Sequence, residues 1–458
     1  MPAPTWTLVN PATEEPFRSV PFTDPSELVR LVHGARVAQR QWRHVPVEER
    51  VRIVSQMIPA FRAMADTVAL DITRQMGKPL RQSFNEINTM IDRTEAMCRL
   101  AAPALADEPL PEKTGFRRFI RNEPHGVVLD IAAWNYPLLI AVNVVVPALL
   151  AGNAVLYKPS EYASMTGLEI ARLLHESGVP EDVFIALIGA GEVGAELLKH
   201  DIDGVFFTGS YGTGRRIAEA VRGRMLKLQL ELGGKDPIYV CDDVDAVTVA
   251  AGIADGAFYN TGQSCCSVER IYVNERIFEP FVAAFAAEVR GYVRGEPDDD
   301  KTYIGPLTRA PQVEVLDAQV KDAVKKGAKV LVGGKRVKGK GNWFEPTVLV
   351  DVNHTMDVMR EESFGPIIGI MSVKDDAEAA GAMNDTEYGL TAGVYSTSRS
   401  RAEKILEQVK AGSVYWNCCD RVSPRLPWSG VGHSGIGLTL STYGIEAFTR
   451  PKAWHLRT

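Results

Sequence analysis

The stretch GVVLDIAAWNYPLLIAVNVVVPALLAGNAVLYKPSE, Gly126 to Glu161, decides the fold. It reads as a buried strand (Gly126 to Ala132), an uncharged apolar helix (Tyr136 to Gly152) and a second strand (Asn153 to Pro159). Strands that are apolar without alternation are covered on both faces, which means a parallel sheet between helices. The apolar helix is shorter than the roughly 20 residues of a membrane span. Asn143 and Pro147 also interrupt it. A helix buried on all sides is therefore expected, and no membrane association.

The same alternation continues outward. DVFIALIG (Asp182 to Gly189) and GVFFTGS (Gly204 to Ser210) read as further strands, and LKLQLELGG (Leu226 to Gly234) closes the region. Helices are expected between them over Ser164 to Ser177, Glu192 to Lys199 and Gly212 to Val221. A second alternating region follows. It has helices at Asp245 to Tyr259 and Arg276 to Val293, and strands in RIYV (Arg270 to Val273), KVLVGG, GLTAGVYS (Gly389 to Ser396) and SVYWNCC (Ser413 to Cys419). Upstream, Asp24 to Leu105 is mainly helical, with a start at Asp24-Pro25 and periodic runs over Glu48 to Val68 and Gln82 to Leu100. Phe116 to Asn122 and the tail TRPKAWHLRT are extended, polar and unassigned to either region. No internal repeat or low-complexity tract is present. The reading is two α/β domains with strands left over.

At 458 residues the chain exceeds one ordinary core. A net charge of −6 without a basic run argues against a nucleic-acid partner. The start, MPAPTWTLVNPATEEPF, lacks the pattern of a secretory signal. Six cysteines include the adjacent pairs Cys265-Cys266 and Cys418-Cys419, which suit neither a disulfide framework nor a CxxC site. A reducing, cytoplasmic setting is expected.

Several short segments have chemical potential. In FTGSYGTG, Gly209, Gly212 and Gly214 follow a strand and open a helix; they serve either a cofactor's close approach or turn geometry alone. Lys158 and Glu161 follow the second strand, where a doubly wound sheet binds ligands, yet a solvated loop capped by Ser160 or Ser164 is the plainer reading of the residues. NTGQSCCSVER places Cys265 and Cys266 in a loop of small and polar residues, where backbone N–H groups lower a thiol's pKa or hold an oxyanion. Two packed cysteines are the plain alternative. Glu231, in ELGGK, is a carboxylate ending an apolar run, suited to general-base work or to an ion pair with Lys235. Glu361 and Glu362, before SFGP, pose the same choice.

Taken together and in this order, the motifs resemble the NAD(P)-dependent aldehyde dehydrogenase superfamily, from LVNPATEE to YGIEAFTRPK. The resemblance implies an α/β fold with a Rossmann-like cofactor domain (1–104 and 123–235), a catalytic α/β domain (236–435) and a β-strand oligomerisation arm (105–122 and 449–458). WNYP supplies Asn135, whose side-chain amide joins the Cys265 N–H in an oxyanion hole, and Trp134 beside the cofactor. Lys158 and Glu161 would grip the adenosine ribose. Gly209, Ser210 and Gly214 would lie near the pyrophosphate and nicotinamide. GQSC selects Cys265 as nucleophile. Glu231, 34 positions earlier, would be the general base. Glu362 would bind the nicotinamide ribose with Phe364 beside it, and Asn417 would help hold the site's backbone. Tyr136, Tyr259 and Trp428 would line the aldehyde channel. Two features depart from the pattern: Leu438 stands where many relatives carry Arg, and Asn143 where some carry an aromatic.

The implied reaction oxidises an aldehyde through a thiohemiacetal and thioester on Cys265, with water as final acyl acceptor and no metal. NAD is the expected cofactor, with NADP use allowed, because Glu161 would repel a 2′-phosphate. A homodimer or homotetramer is implied. Acyl transfer to coenzyme A is disfavoured because relatives that perform it generally lack the equivalent of Glu231. A fold kept without turnover is disfavoured by the intact set of Asn135, Glu231, Cys265 and Glu362. Arg421 and Arg425, in RVSPRLPW, are candidates for binding a carboxylate-bearing aldehyde.

Overall fold

A computed structural model describes residues 4–458. An antiparallel hairpin, β1 (Thr5–Val9) and β2 (Pro16–Pro21), opens the described chain; the sequence patterns do not predict it. Helices then occupy Leu28–Trp42, Val47–Ser55, Met57–Ala63, Ala65–Met76 and Leu80–Leu105. The periodic run over Glu48 to Val68 is thus three helices, not one. Each break re-aims the apolar face, so that Val54, Met57, Phe61 and Val68 all enter one core.

Seven strands follow in the first α/β region. They are β3 (Glu108–Pro109), β4 (Phe116–Pro124), β5 (Val127–Ile131), β6 (Ala154–Lys158), β7 (Phe184–Ala186), β8 (Gly204–Thr208) and β9 (Lys227–Glu231). The second region contributes β10 (Asp236–Val240), β11 (Val268–Asn274), β12 (Lys329–Val332), β13 (Thr347–Val350), β14 (Ile367–Val373), β15 (Thr391–Tyr395) and β16 (Ser413–Trp416). β17 (Gly435–Ile436) and β18 (Thr449–Arg457) complete the chain.

The first large sheet has the order β17-β9-β8-β5-β6-β7. All its pairings are parallel except β17 with β9. The second has the order β12-β13-β14-β11-β10-β15-β16 and is parallel except for β12. Every residue of the helix Pro137–Ala151 is buried, as its uncharged sequence predicts. Among the described residues no helix is long and apolar enough to cross a membrane. The two unassigned extended segments meet: β18 pairs with β4 along its whole length, and β3 flanks β4.

Four residues, Leu232 to Lys235, carry the chain from β9 into β10. The C-terminal edge of the first sheet therefore faces the N-terminal edge of the second. Residues after β5 and β9 meet residues before β11 and β14, as in the Asn135–Gln263 and Gly234–Glu362 hydrogen bonds. Ligands of parallel sheets bind at such carboxyl edges.

Candidate active site

Cys265 lies in the loop before β11 and is partly exposed, whereas Cys266 is buried. The loop's shape comes from Asn260 and Thr261, both in the left-handed region (φ 54° and 58°). The long helix Leu80–Leu105 holds it: Gln82 Oε1 accepts the Asn260 N–H at 2.9 Å, and Asn85 Nδ2 donates to the Tyr259 hydroxyl at 3.2 Å. Asn135 is buried, and its Nδ2 donates to the Gln263 carbonyl at 3.1 Å. A side-chain amide has two N–H donors, so a second remains for a reacting oxygen. Asn260 Nδ2 donates to the Asn135 carbonyl at 3.1 Å, locking the two segments together.

The Cys266 thiol donates to Asp420 Oδ1 at 2.9 Å. A hydrogen bond with Cys265, burial and the Asp420 charge push its pKa well up. Cys266 is thus held as a thiol. Burial raises Asp420 itself to about 6.

Glu231 ends β9, and its Oε1 accepts the Thr439 hydroxyl at 2.5 Å. Burial raises its pKa to about 7, with Thr439 and the Arg93 charge opposing. Thr439 is fixed by a pair of backbone hydrogen bonds with Trp428, of 2.8 and 2.9 Å. Cys265, Glu231, Tyr136, Tyr259, Trp428 and Arg421 all line one cavity of about 800 Å³. Arg425 is exposed and absent from its wall.

The remaining candidates cluster at the sheet edges beside this cavity. Glu362 accepts the Gly234 N–H at 3.1 Å, and burial with the neighbouring Glu269 raises its pKa to about 8. A Cβ on Gly233 would stand 2.2 Å from Glu362 Oε1, and one on Gly234 would stand 2.7 Å from the Cys265 carbonyl oxygen. The paired glycines of ELGGK therefore admit both segments. Lys235 does not pair with Glu231. Its ammonium meets Glu269 Oε2 at 2.5 Å, and Glu269 also accepts the Ser363 and Phe364 N–H groups. That buried pair anchors the SFGP turn, where Phe364 (φ 48°) stands edge-on to Trp134 with ring centroids 5.6 Å apart.

Lys158 is buried at the end of β6, with Nζ 3.9 Å from Glu161 Oε2. Ser210 caps its own helix, Tyr211–Val221, by accepting the Thr213 N–H. Gly214 fits that helix against Leu232, since a Cβ there would lie 2.6 Å from its Cδ2. Gly212 faces open space. Asn417 brackets Ser396 with two hydrogen bonds, of 2.9 and 3.0 Å, beyond the C-terminal ends of β15 and β16. Its side chain fixes the start of the stretch returning to Asp420 and makes no hydrogen bond to the Cys265 loop.

Arg93, Asp420 and Thr439 escaped the motif reading. Arg93 carried a signal: it falls on the buried stripe Glu86, Met90, Thr94, Met97 of its helix, where a charge is anomalous. The other two have partners too distant in sequence to read.

A partly exposed cysteine and a carboxylate of raised pKa on one cavity, at the carboxyl edge of a parallel sheet, are the arrangement of an α/β enzyme site. The family model described as "Aldehyde dehydrogenase family" matches residues 2–454. The chain belongs to that family, whose reaction is the NAD(P)-dependent oxidation of an aldehyde to its acid. It is 34% identical over 452 residues to a succinate-semialdehyde dehydrogenase [NADP(+)] of Deinococcus radiodurans, covering 98% of this chain and 94% of the relative. The structure of an NADP-dependent enzyme of E. coli superposes with a TM-score of 0.96 at 31% identity, over 99% of this chain and 95% of the other. That of an NAD-dependent aldehyde dehydrogenase of Sinorhizobium meliloti gives 0.96 at 31%, over 100% and 93%.

Proposed function

We propose that Cys265 carries the aldehyde through oxidation and that Glu231 directs hydrolysis of the resulting thioester. The observation supporting this reading is the convergence of Cys265 and Glu231 on one cavity, with the Asn135 amide tied to the Cys265 loop.

The Cys265 thiolate forms a bond to the aldehyde carbon, and the carbonyl oxygen takes up negative charge. The free Asn135 N–H and the Cys265 backbone N–H stabilise that charge. The cofactor, when bound, supplies a hydride acceptor, and the carbon–hydrogen bond breaks with its electron pair to leave a thioester on Cys265. Glu231 then takes a proton from water as the water oxygen bonds to the acyl carbon. The carbon–sulfur bond breaks, releasing the acid and the Cys265 thiolate.

The residues present fit a dinucleotide. Lys158 and Glu161 stand at the carboxyl end of β6, suited to ribose hydroxyls. Gly209, Ser210 and the helix start at Tyr211 offer backbone N–H groups after β8. Trp134 and Phe364 frame an apolar wall, and Glu362 is held toward it by the Gly234 N–H. NAD is favoured because the Glu161 carboxylate accepts a 2′-hydroxyl and repels a 2′-phosphate. The Lys158 ammonium beside it offsets part of that repulsion, and relatives are named for each cofactor.

The division into a cofactor domain (1–104 and 123–235), a catalytic domain (236–435) and an arm (105–122 and 449–458) is supported by the two sheets and the β18-β4-β3 ribbon, with β17 of the first sheet starting at the last residue of the catalytic segment. β18 is a nine-residue edge strand, largely exposed, and such an edge invites pairing with a second chain. A cytoplasmic homodimer or homotetramer is the assembly proposed. Ending the chain at Phe448 should lower its mass in sedimentation; an unchanged mass would remove the arm's role.

The test of activity is reduced-cofactor formation from either NAD or NADP across a panel of aldehydes. Turnover by the native chain, lost in Cys265→Ala with cofactor binding retained, is the expected result. Turnover surviving in Cys265→Ala would sink the proposal.

A further inference from the structure

Arg93 lies in the wall of the same cavity as Cys265 and is only 7% exposed. Its Nη1 donates to Asn143 Oδ1 at 3.0 Å. Its Nε is buried without a partner, and no carboxylate lies within ion-pair distance of it among the described residues. The neighbouring acids are committed elsewhere. Glu231 accepts from Thr439, Asp420 accepts from Cys266, and Glu86 pairs with Lys78. Asn143, itself buried in the otherwise apolar helix Pro137–Ala151, spends its side-chain oxygen on orienting the guanidinium.

A buried cation without a counter-charge is costly, and folded proteins rarely carry one unless something pairs with it. Desolvation lowers the Arg93 pKa, which is the same cost expressed as proton affinity. The guanidinium is planar and presents parallel N–H donors, a geometry matched to a carboxylate. Arg421 is the weaker candidate for such a contact: it is solvent-exposed on the same wall, where charge pairs contribute little.

We propose that Arg93, held by Asn143, is a specificity-determining residue that binds the carboxylate of an anionic aldehyde while Cys265 engages its carbonyl. This rests on the aldehyde-oxidising reading above. The substrate class is thus an aldehyde that carries a carboxylate elsewhere on its chain, the substrate's negative charge supplying the partner that the protein withholds.

The test compares succinic semialdehyde with its methyl ester, a near-isostere lacking the charge. Native enzyme should favour the acid in kcat/KM by on the order of 100-fold. Arg93→Gln should remove most of that preference by raising KM for the acid alone, while any loss of kcat through the missing charge beside Glu231 falls on acid and ester alike. Should Arg93→Gln fold poorly, the native chain gives a second reading. Succinate should slow alkylation of Cys265 by iodoacetamide, and succinamide should not. Equal kcat/KM for acid and ester, equal losses on both in Arg93→Gln, or equal protection by succinate and succinamide would each overturn the carboxylate site. No turnover of any aldehyde with either cofactor would instead strike the aldehyde-oxidising reading itself.

Discussion

Replacing Thr439 by Val removes the hydroxyl that donates to Glu231 at 2.5 Å and keeps the side chain's shape. That hydrogen bond favours the charged carboxylate and opposes the burial that raises its pKa to about 7. A hydrogen bond to a charged group contributes roughly 1.5–3 kcal/mol. At 1.36 kcal/mol per pH unit, its loss should lift Glu231 by about 1–2 units, to about 8–9. A raised carboxylate is protonated below its pKa, so base-competent Glu231 appears only as pH rises through that value. At pH 7 about half of the native enzyme carries the base, against roughly 1–10% of the variant. If deacylation limits turnover, kcat at pH 7 should fall about 5–50-fold and recover near pH 9. The assay is kcat against pH from 6 to 10, with the acylation burst followed separately. The burst amplitude should survive. A pH midpoint unmoved in Thr439→Val, or a loss of kcat that is the same at every pH, would refute the reasoning.

Two further outcomes follow from the same geometry. Cys266→Ala should keep kcat within about threefold, because the Cys266 thiol is held by Asp420, while costing on the order of 1–3 kcal/mol of stability in denaturant titration from the unpaired buried carboxylate; loss of turnover as complete as in Cys265→Ala would contradict the assignment. Glu161→Gln should raise NADP use relative to NAD by roughly tenfold, since it removes like-charge repulsion with a 2′-phosphate; an unchanged kcat/KM ratio would place Glu161 away from the ribose.

The first sheet was readable because its strands are continuous apolar runs, several followed by a turn with its own residues, WNYP, KPSE, TGS and ELGG, whereas the buried strands β10 and β13 of the second sheet went unassigned. The N-terminal hairpin was not readable, since only Leu8 and Val20 bury fully in two short polar strands. The break at Gln56 is marked by Pro59, which has no N–H for the Ser55 carbonyl, but the break at Met64 has neither Pro nor Gly, so the apolar period reads straight through it. Within the site, residues alone left Cys265 and Cys266 open. Their separation came from Asp420, 154 positions away, just as the hydroxyl on Glu231 came from Thr439, 208 positions away. Pairings at such distances are set by the fold and leave no local period. The Glu231–Lys235 ion pair that proximity suggested does not form, because the strand edge turns Lys235 toward Glu269.

In the proposed mechanism the acyl group rests on Cys265 and leaves by way of Glu231. Glu231→Gln, mixed with aldehyde and cofactor and quenched in acid, separates those two events in one intact-protein mass spectrum. A mass increase of one acyl group per chain, mapped to the peptide containing Cys265 and matched by a burst of about one equivalent of reduced cofactor, is the result predicted. Rapid steady turnover with no adduct, or an adduct mapped to Cys266, would contradict it.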